Sequence, residues 1–275
     1  MKRVILVGIF MILILSLITT LAYTENKEIV IQGSTTVLPI AQKCAEVFMQ
    51  KHPEANISVR GGGSGTGIAA LIDGICDIAN SSRPMKEEEI KKAKENNINP
   101  VAHIIAKDGI AVIVHPTNPI SKLTIDQVRD IYTGKISNWK QLGGKDQKIV
   151  VVSRDVASGT YECFNEIVLK KQRVRPDALL QASNMAVAST VKRTKGSIGY
   201  IGLGYISPSV KVLNINGVEA TFDTVMKGTY PISRSLFMYT NGKPEGLVKE
   251  FIEFIFGPEG QKIVEKEGFV PVKKY

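Results

Sequence analysis

The sequence predicts an α/β protein with largely parallel sheet, and three observations predict it. Past residue 27, short β-rich runs alternate with segments of helical period, the pattern of βαβ units. Capping and stop residues fall at the ends of those helical segments. No low-complexity stretch and no long Pro/Ser linker divides the chain, which suggests two lobes joined by short crossings.

In order, Glu28–Gln32 reads as a strand, and residues 39–51 as a helix with Ile40, Cys44, Val47 and Phe48 on one face. Ile57–Arg60 is a second strand, followed by the glycine-rich stretch 61–67 and a helix through Ile68, Leu71 and Ile72. Cys76–Ala79 is a third short strand. Pro84 suits the first turn of a charged helix, 85–96, whose Lys/Glu run is a solvated face. A second α/β pattern begins near the apolar run 109–114. Thr124 caps a helix with Val128, Ile131 and Tyr132 on one face, and Gly134 ends it. The strand 148–152 leads through 153–160 into another helix. Gly257-Pro258-Glu259 opens a final helix carrying Ile263 and Val264 and stopped near Gly268.

Composition narrows the function classes. Of 275 residues, 44% are hydrophobic, 22% charged and 7% aromatic, which excludes disorder, collagen-like repeats and a disulfide-dense scaffold. Lys2 and Arg3 precede a run of 19 uncharged residues, Val4 to Ala22, which reads as a secretory signal or, at that length, a retained membrane anchor. Residues 1–23 are therefore expected to direct the chain out of the cytoplasm, with cleavage and anchoring both open. The net charge is +9, or +7 without Lys2 and Arg3. The positive residues are dispersed, with one Trp and no aromatic-basic array, so nucleic acid is not an expected partner. Cys44, Cys76 and Cys163 are an odd number without zinc spacing; Cys44 and Cys76 lie in apolar patterns and read as buried free thiols.

Three strand-to-helix junctions carry small, hydroxyl-bearing residues: 33–36 (Gly-Ser-Thr-Thr), 61–67 (Gly-Gly-Gly-Ser-Gly-Thr-Gly) and 157–160 (Ala-Ser-Gly-Thr). A helix start exposes unpaired N–H groups and the positive end of the helix dipole. Glycine admits a ligand to that backbone, and Ser and Thr add donors for an oxyanion. One such junction is ordinarily a cap, but three suggest convergence on one small anion. Arg154, four residues before Ser158, can grip two oxygens of a tetrahedral oxyanion, with Asp155 placed to hold it. Ser81-Ser82-Arg83-Pro84 is a fourth candidate edge.

Competing chemistry is thin. The P-loop and G-x-S-x-G patterns are absent, and His52, His103 and His115 are isolated without H-E-x-x-H. No catalytic residue, metal set or cofactor is expected.

Five segments, in this order, resemble the phosphate-binding proteins of phosphate ABC importers: 33–39 (Gly-Ser-Thr-Thr-Val-Leu-Pro), 60–67 (Arg-Gly-Gly-Gly-Ser-Gly-Thr-Gly), 132–139 (Tyr-Thr-Gly-Lys-Ile-Ser-Asn-Trp), 154–160 (Arg-Asp-Val-Ala-Ser-Gly-Thr) and 196–204 (Gly-Ser-Ile-Gly-Tyr-Ile-Gly-Leu-Gly). The resemblance implies a two-lobed type-II periplasmic-binding-protein fold, with mostly parallel sheets and a ligand cleft between lobes. Lobe one would take 24–108 and 230–275, and lobe two 109–229. It also implies an inorganic phosphate ligand, held without metal, and ABC permease subunits as partners. Carried over by motif, the ligand groups are Thr35, Thr36, Ser64 and Ser82 from one lobe, with Arg154, Ser158, Gly159 and Thr160 from the other. One departure stands out: where some members carry an Asp that repels fully ionised sulfate, this chain has Ser82, with Arg83 next. Sulfate, molybdate or tungstate is therefore the alternative ligand, and a phosphatase-like enzyme the alternative activity.

Overall fold

A computed structural model describes residues 27–273; the segment expected to direct export lies outside them. Strands are β1 (Lys27–Gly33), β2 (Ala55–Gly61), β3 (Ile78–Ser81), β4 (Pro100–Val114), β5 (Lys122–Leu123), β6 (Val150–Arg154), β7 (Leu179–Gln181), β8 (Ser197–Gly202), β9 (Lys211–Val212), β10 (Asn214–Ile215), β11 (Ser233–Asn241) and β12 (Val270–Pro271). Helices are α1 (Leu38–Lys51), α2 (Ser64–Ile72), α3 (Glu87–Glu95), α4 (Ile125–Thr133), α5 (Gly159–Phe164), α6 (Asn184–Arg193), α7 (Phe222–Met226), α8 (Gly246–Phe256) and α9 (Pro258–Lys266). Among the described residues, no helix is long and apolar enough to cross a membrane.

The main sheet runs β2-β1-β3-β11-β4-β8-β6-β7, with β9 and β12 also on β4. β1 pairs in parallel with β2 and β3, and β6 with β7 and β8. The antiparallel pairs all involve β4 or β11, the strands in the middle of the order. One strand thereby serves two cores. Ile105 and Ala106 of β4 pack with Ile29, Ile31, Ile40, Phe48, Leu236 and Phe251, whereas Ile110–Val114 pack with Val128, Tyr132, Trp139, Phe164 and Tyr200. A third cluster, built on Ile68, Leu71, Ala79, Phe237 and Tyr239, covers the other face of the first lobe's sheet. On β11 the alternation is direct: Leu236 and Met238 face one cluster, Phe237 and Tyr239 the other.

Local chemistry sets the element ends. At α4, Thr124 Oγ1 accepts from the Gln127 N–H (3.1 Å) while Gln127 Oε1 accepts from the Thr124 N–H (2.9 Å), a reciprocal cap. Gly134, at φ +88°, ends that helix as expected. Several elements differ from the sequence reading, the strand read at 148–152 among them, since it runs from Val150 to Arg154. The third strand begins at Ile78, not Cys76, because Asp77 is spent on β1: its carboxylate accepts from the Val30 N–H (2.8 Å) and its N–H donates to Val30 O (2.9 Å). The charged helix spans Glu87–Glu95. Glu89 reaches back to the Lys86 N–H (2.8 Å) to fix its start, leaving Pro84 outside. The strand expected at 109–114 extends back to Pro100; its first half mixes exposed and buried residues and lacks a continuous apolar signal.

Gly67 lets α2 lie directly on β1, since a Cβ there would sit 2.4 Å from Gln32 O and 2.6 Å from Gly33 Cα. Gly67→Ala is expected to lower stability by about 1–3 kcal/mol, read as a lower urea midpoint with unchanged slope; an unchanged midpoint would contradict this packing.

Candidate anion-binding site

The three hydroxyl-rich junctions meet. Gly33 sits at φ +137°, and a Cβ there would lie 2.2 Å from Asn80 O, a position that only glycine fits. Its carbonyl accepts from the Gly62 N–H (2.9 Å) and the Gly63 N–H (3.0 Å), tying the first junction to the second. The second reaches the third through the Gly65 N–H, which donates to Ala157 O at 2.9 Å. The first and third touch through Thr36 Oγ1 and Thr160 Oγ1, 3.0 Å apart.

Each residue expected at the site is buried there. Ser34 Oγ accepts from the Thr36 N–H (3.1 Å) and so shapes the first junction. Ser64 Oγ accepts from the Ser82 N–H (3.0 Å) and lies 3.3 Å from Ser82 Oγ. Ser158 Oγ caps α5 by accepting from the Tyr161 N–H (3.2 Å). Gly159 faces these serines closely: a Cβ would meet Ser64 Oγ at 2.3 Å and Ser82 Oγ at 2.8 Å. Groups carried on the first lobe's sheet and groups carried on β6 and α5 therefore share one closed space.

Arg154 is only 2% exposed. Its Nε donates to Gln181 O (2.9 Å) and its Nη2 to Ala182 O (3.0 Å), while Nη1 is buried without a hydrogen-bond partner. Carbonyls thus aim this guanidinium. Asp155, expected to hold it, instead accepts from the Ala157 N–H (2.9 Å) and shapes the loop. Burial lowers the Arg154 pKa from its ordinary value, with the nearby Arg234 charge acting in the same direction. Arg83, beside Ser82, is engaged by carboxylates. Its Nη1 and Nη2 each donate to Glu89 at 2.7 Å, and its Nε pairs with Glu162 of α5. Glu162 also takes Lys86 at 2.6 Å, so an ion-pair cluster closes the rim from both sides. Burial alone would raise the Glu89 carboxyl, but the bonds from Arg83 and the Lys86 N–H, with both positive charges, hold it below the usual carboxylate range.

Sequence reasoning missed several participants. Asn184, at the start of α6, donates from Nδ2 to Thr35 Oγ1 (3.2 Å) and Thr36 Oγ1 (3.0 Å). Arg234 of β11 donates to Thr36 Oγ1 (3.1 Å) and is paired with Asp108 of β4 at 2.8 Å. Tyr205 donates its hydroxyl to Thr35 O. The only available signal for Asp108 and Arg234 was a charge set in an apolar strand context. Cys163, whose place was not assigned, donates from Sγ to Ser82 O (3.4 Å), and burial pushes its thiol pKa up. Burial also raises the Asp108 carboxyl, against the pull of Arg234 and the Leu203 N–H.

The set is therefore one of hydroxyls and guanidinium gathered at helix starts, the chemistry of an oxyanion cradle. Among the described residues, no three His, Cys, Asp or Glu side chains gather as a metal set.

Comparison with known proteins agrees with that chemistry. A family model described as a PBP superfamily domain matches residues 20–259. The phosphate-binding protein PstS of Bacillus subtilis is 37% identical over 244 residues, covering 88% of this chain and 80% of the relative. The chain belongs to the PstS family. PstS of Borreliella burgdorferi is 36% identical and is matched over 100% of its length, with 99% of this chain covered. Among solved structures, a phosphate ABC transporter substrate-binding protein with bound phosphate from Clostridium perfringens superposes with a TM-score of 0.84 at 39% identity, over 90% of this chain and 100% of that one. The fold is the two-lobed type-II periplasmic-binding-protein fold that the resemblance implied.

Gly159→Ala would drive a methyl against Ser64 and Ser82 while leaving both cores intact. Small-angle scattering in saturating phosphate is expected to give a larger radius of gyration than wild type; identical curves would contradict the close approach at Gly159.

Proposed function

We propose that the chain is an extracytoplasmic receptor that captures inorganic phosphate between its lobes and delivers it to an ABC permease. One observation carries this reading: the donors of Thr36, Ser64 and Ser82 and those of Ser158, Gly159 and Thr160 converge from two lobes, with a buried Arg154 Nη1 that no protein group occupies. The PstS name of the relatives and the bound phosphate in the Clostridium perfringens structure support the ligand.

Desolvating an oxyanion is costly unless fixed donors replace its water. In this reading the lobes, 24–108 with 230–275 and 109–229, are the units that close, and their approach completes the donor set. Phosphate shifts the open–closed equilibrium by its preference for the closed arrangement. Thr35, Thr36, Ser64 and Ser82 serve from one side, and Arg154, Ser158, Gly159 and Thr160 from the other. The reading needs no cofactor and no catalytic group: binding and release are the whole activity. Residues 4–22 would export the chain and, if retained, tether it to the membrane. Selection of phosphate over sulfate falls to hydroxyl and carbonyl acceptors, because Ser82 brings no repelling charge and both Asp108 oxygens are already engaged.

Calorimetry on the ligand-stripped protein with phosphate, sulfate, molybdate and tungstate tests the proposal. Phosphate should bind tightest; a folded sample that binds no phosphate would overturn it. Arg154→Ala should weaken phosphate binding by about a hundred-fold or more, since charged hydrogen bonds contribute about 1.5–3 kcal/mol each. Unfolding should stay cooperative, and near-normal affinity would refute the role given to Arg154.

A further inference from the structure

Thr36 Oγ1 has three polar neighbours: Asn184 Nδ2 at 3.0 Å, Arg234 Nη2 at 3.1 Å and Thr160 Oγ1 at 3.0 Å. The direction of each bond follows from what the partners can do. Asn184 Oδ1 accepts from the Gly202 N–H (3.1 Å), so the amide nitrogen must face the threonines. A guanidinium can only donate. A hydroxyl has two lone pairs and one proton, and here both lone pairs are filled. The Thr36 proton is left to point along the third direction, towards Thr160 and the converged junctions.

Arg234 is held in turn. Its Nε and Nη2 donate to Asp108 Oδ2 at 2.9 and 2.8 Å, and Asp108 Oδ1 accepts from the Leu203 N–H at 2.9 Å. The two residues face each other in the register of β11 and β4, the strands at the centre of the sheet. Arg234 Nη1 also lies 3.4 Å from Ser82 O, so one guanidinium touches two of the segments that build the site.

We propose that Arg234 and Asn184 are positioning residues for anion recognition: together they fix the Thr36 hydroxyl as a donor as the lobes close on the anion. The proposal rests on the phosphate-receptor reading. A threonine hydroxyl left free would have to be turned and ordered by the ligand, at the ligand's expense in affinity. Asn184 comes from α6, packed with the second lobe's core, while Thr35 and Thr36 belong to the first. The hydroxyl is therefore fully committed only when the lobes have closed, which links the donor set to closure.

Double-mutant cycles on phosphate affinity test this, measured by calorimetry at one pH and ionic strength. The variants are Thr36→Val, Asn184→Ala, Arg234→Lys, and each of the last two combined with Thr36→Val. Each single change should cost about ten-fold or more in affinity. Each double variant should lose little more than Thr36→Val alone, because its partner then acts through a hydroxyl already removed. A merely structural role gives losses that multiply, and thermal melts without phosphate report stability separately. If the Arg234→Lys chain does not fold, the Asn184 cycle decides. Losses that multiply in both cycles, or in the Asn184 cycle when it stands alone, would overturn the proposal. Losses that multiply in one of two measurable cycles would remove that residue from the role. A wild-type chain that binds no phosphate would instead overturn the receptor reading on which the proposal rests.

Discussion

One oxygen, Thr36 Oγ1, ties both lobes and the strands between them. It sits on the turn between β1 and α1 and is met by Thr160 from the start of α5, Asn184 from the start of α6 and Arg234 from β11. Moving any of these elements apart breaks a buried hydrogen bond and leaves a polar atom without water to replace its partner. The closed arrangement therefore has little freedom. Gly159 underlines the point, because the site has no room for even one more methyl between α5 and the two serines opposite.

The same constraint explains a buried ion pair at the centre of the sheet. Asp108 is fully buried and Arg234 nearly so, an arrangement that is costly unless every charge is also hydrogen-bonded. Here Arg234 is shared between Asp108 and Thr36, and the second carboxylate oxygen is taken by the Leu203 N–H. The pair lies between the two cores that β4 joins, where an apolar pair would pack but could not donate to Thr36. The site thus holds two arginines in different settings. Arg154 is aimed by carbonyls, without a hydrogen-bonded carboxylate, and Arg234 is neutralised by Asp108.

Much of this was legible in sequence, for a physical reason. The junction residues act through their own backbone and their immediate neighbours, so glycine and hydroxyl placement after a strand already carries the chemistry. Thr36, Ser64, Ser82, Ser158 and Thr160 were found that way, and the structure brings them together. Asn184 and Arg234 act on a residue 148 and 198 positions away, and no local pattern encodes such contacts. Asp155 shows the converse: adjacency to Arg154 suggested a pair, but the loop took its carboxylate for the Ala157 N–H. The start of β3 and the length of β4 were misjudged because side-chain bonds and mixed exposure set them, not apolar periodicity.

A crystal structure of the phosphate-loaded protein tests the two-lobed cradle most directly. The anion should be contacted at hydrogen-bond distance by Thr36, Ser64 or Ser82 from one lobe and by Arg154, Ser158 or Thr160 from the other. Phosphate bound to one lobe alone, or at a place away from the three junctions, would contradict it.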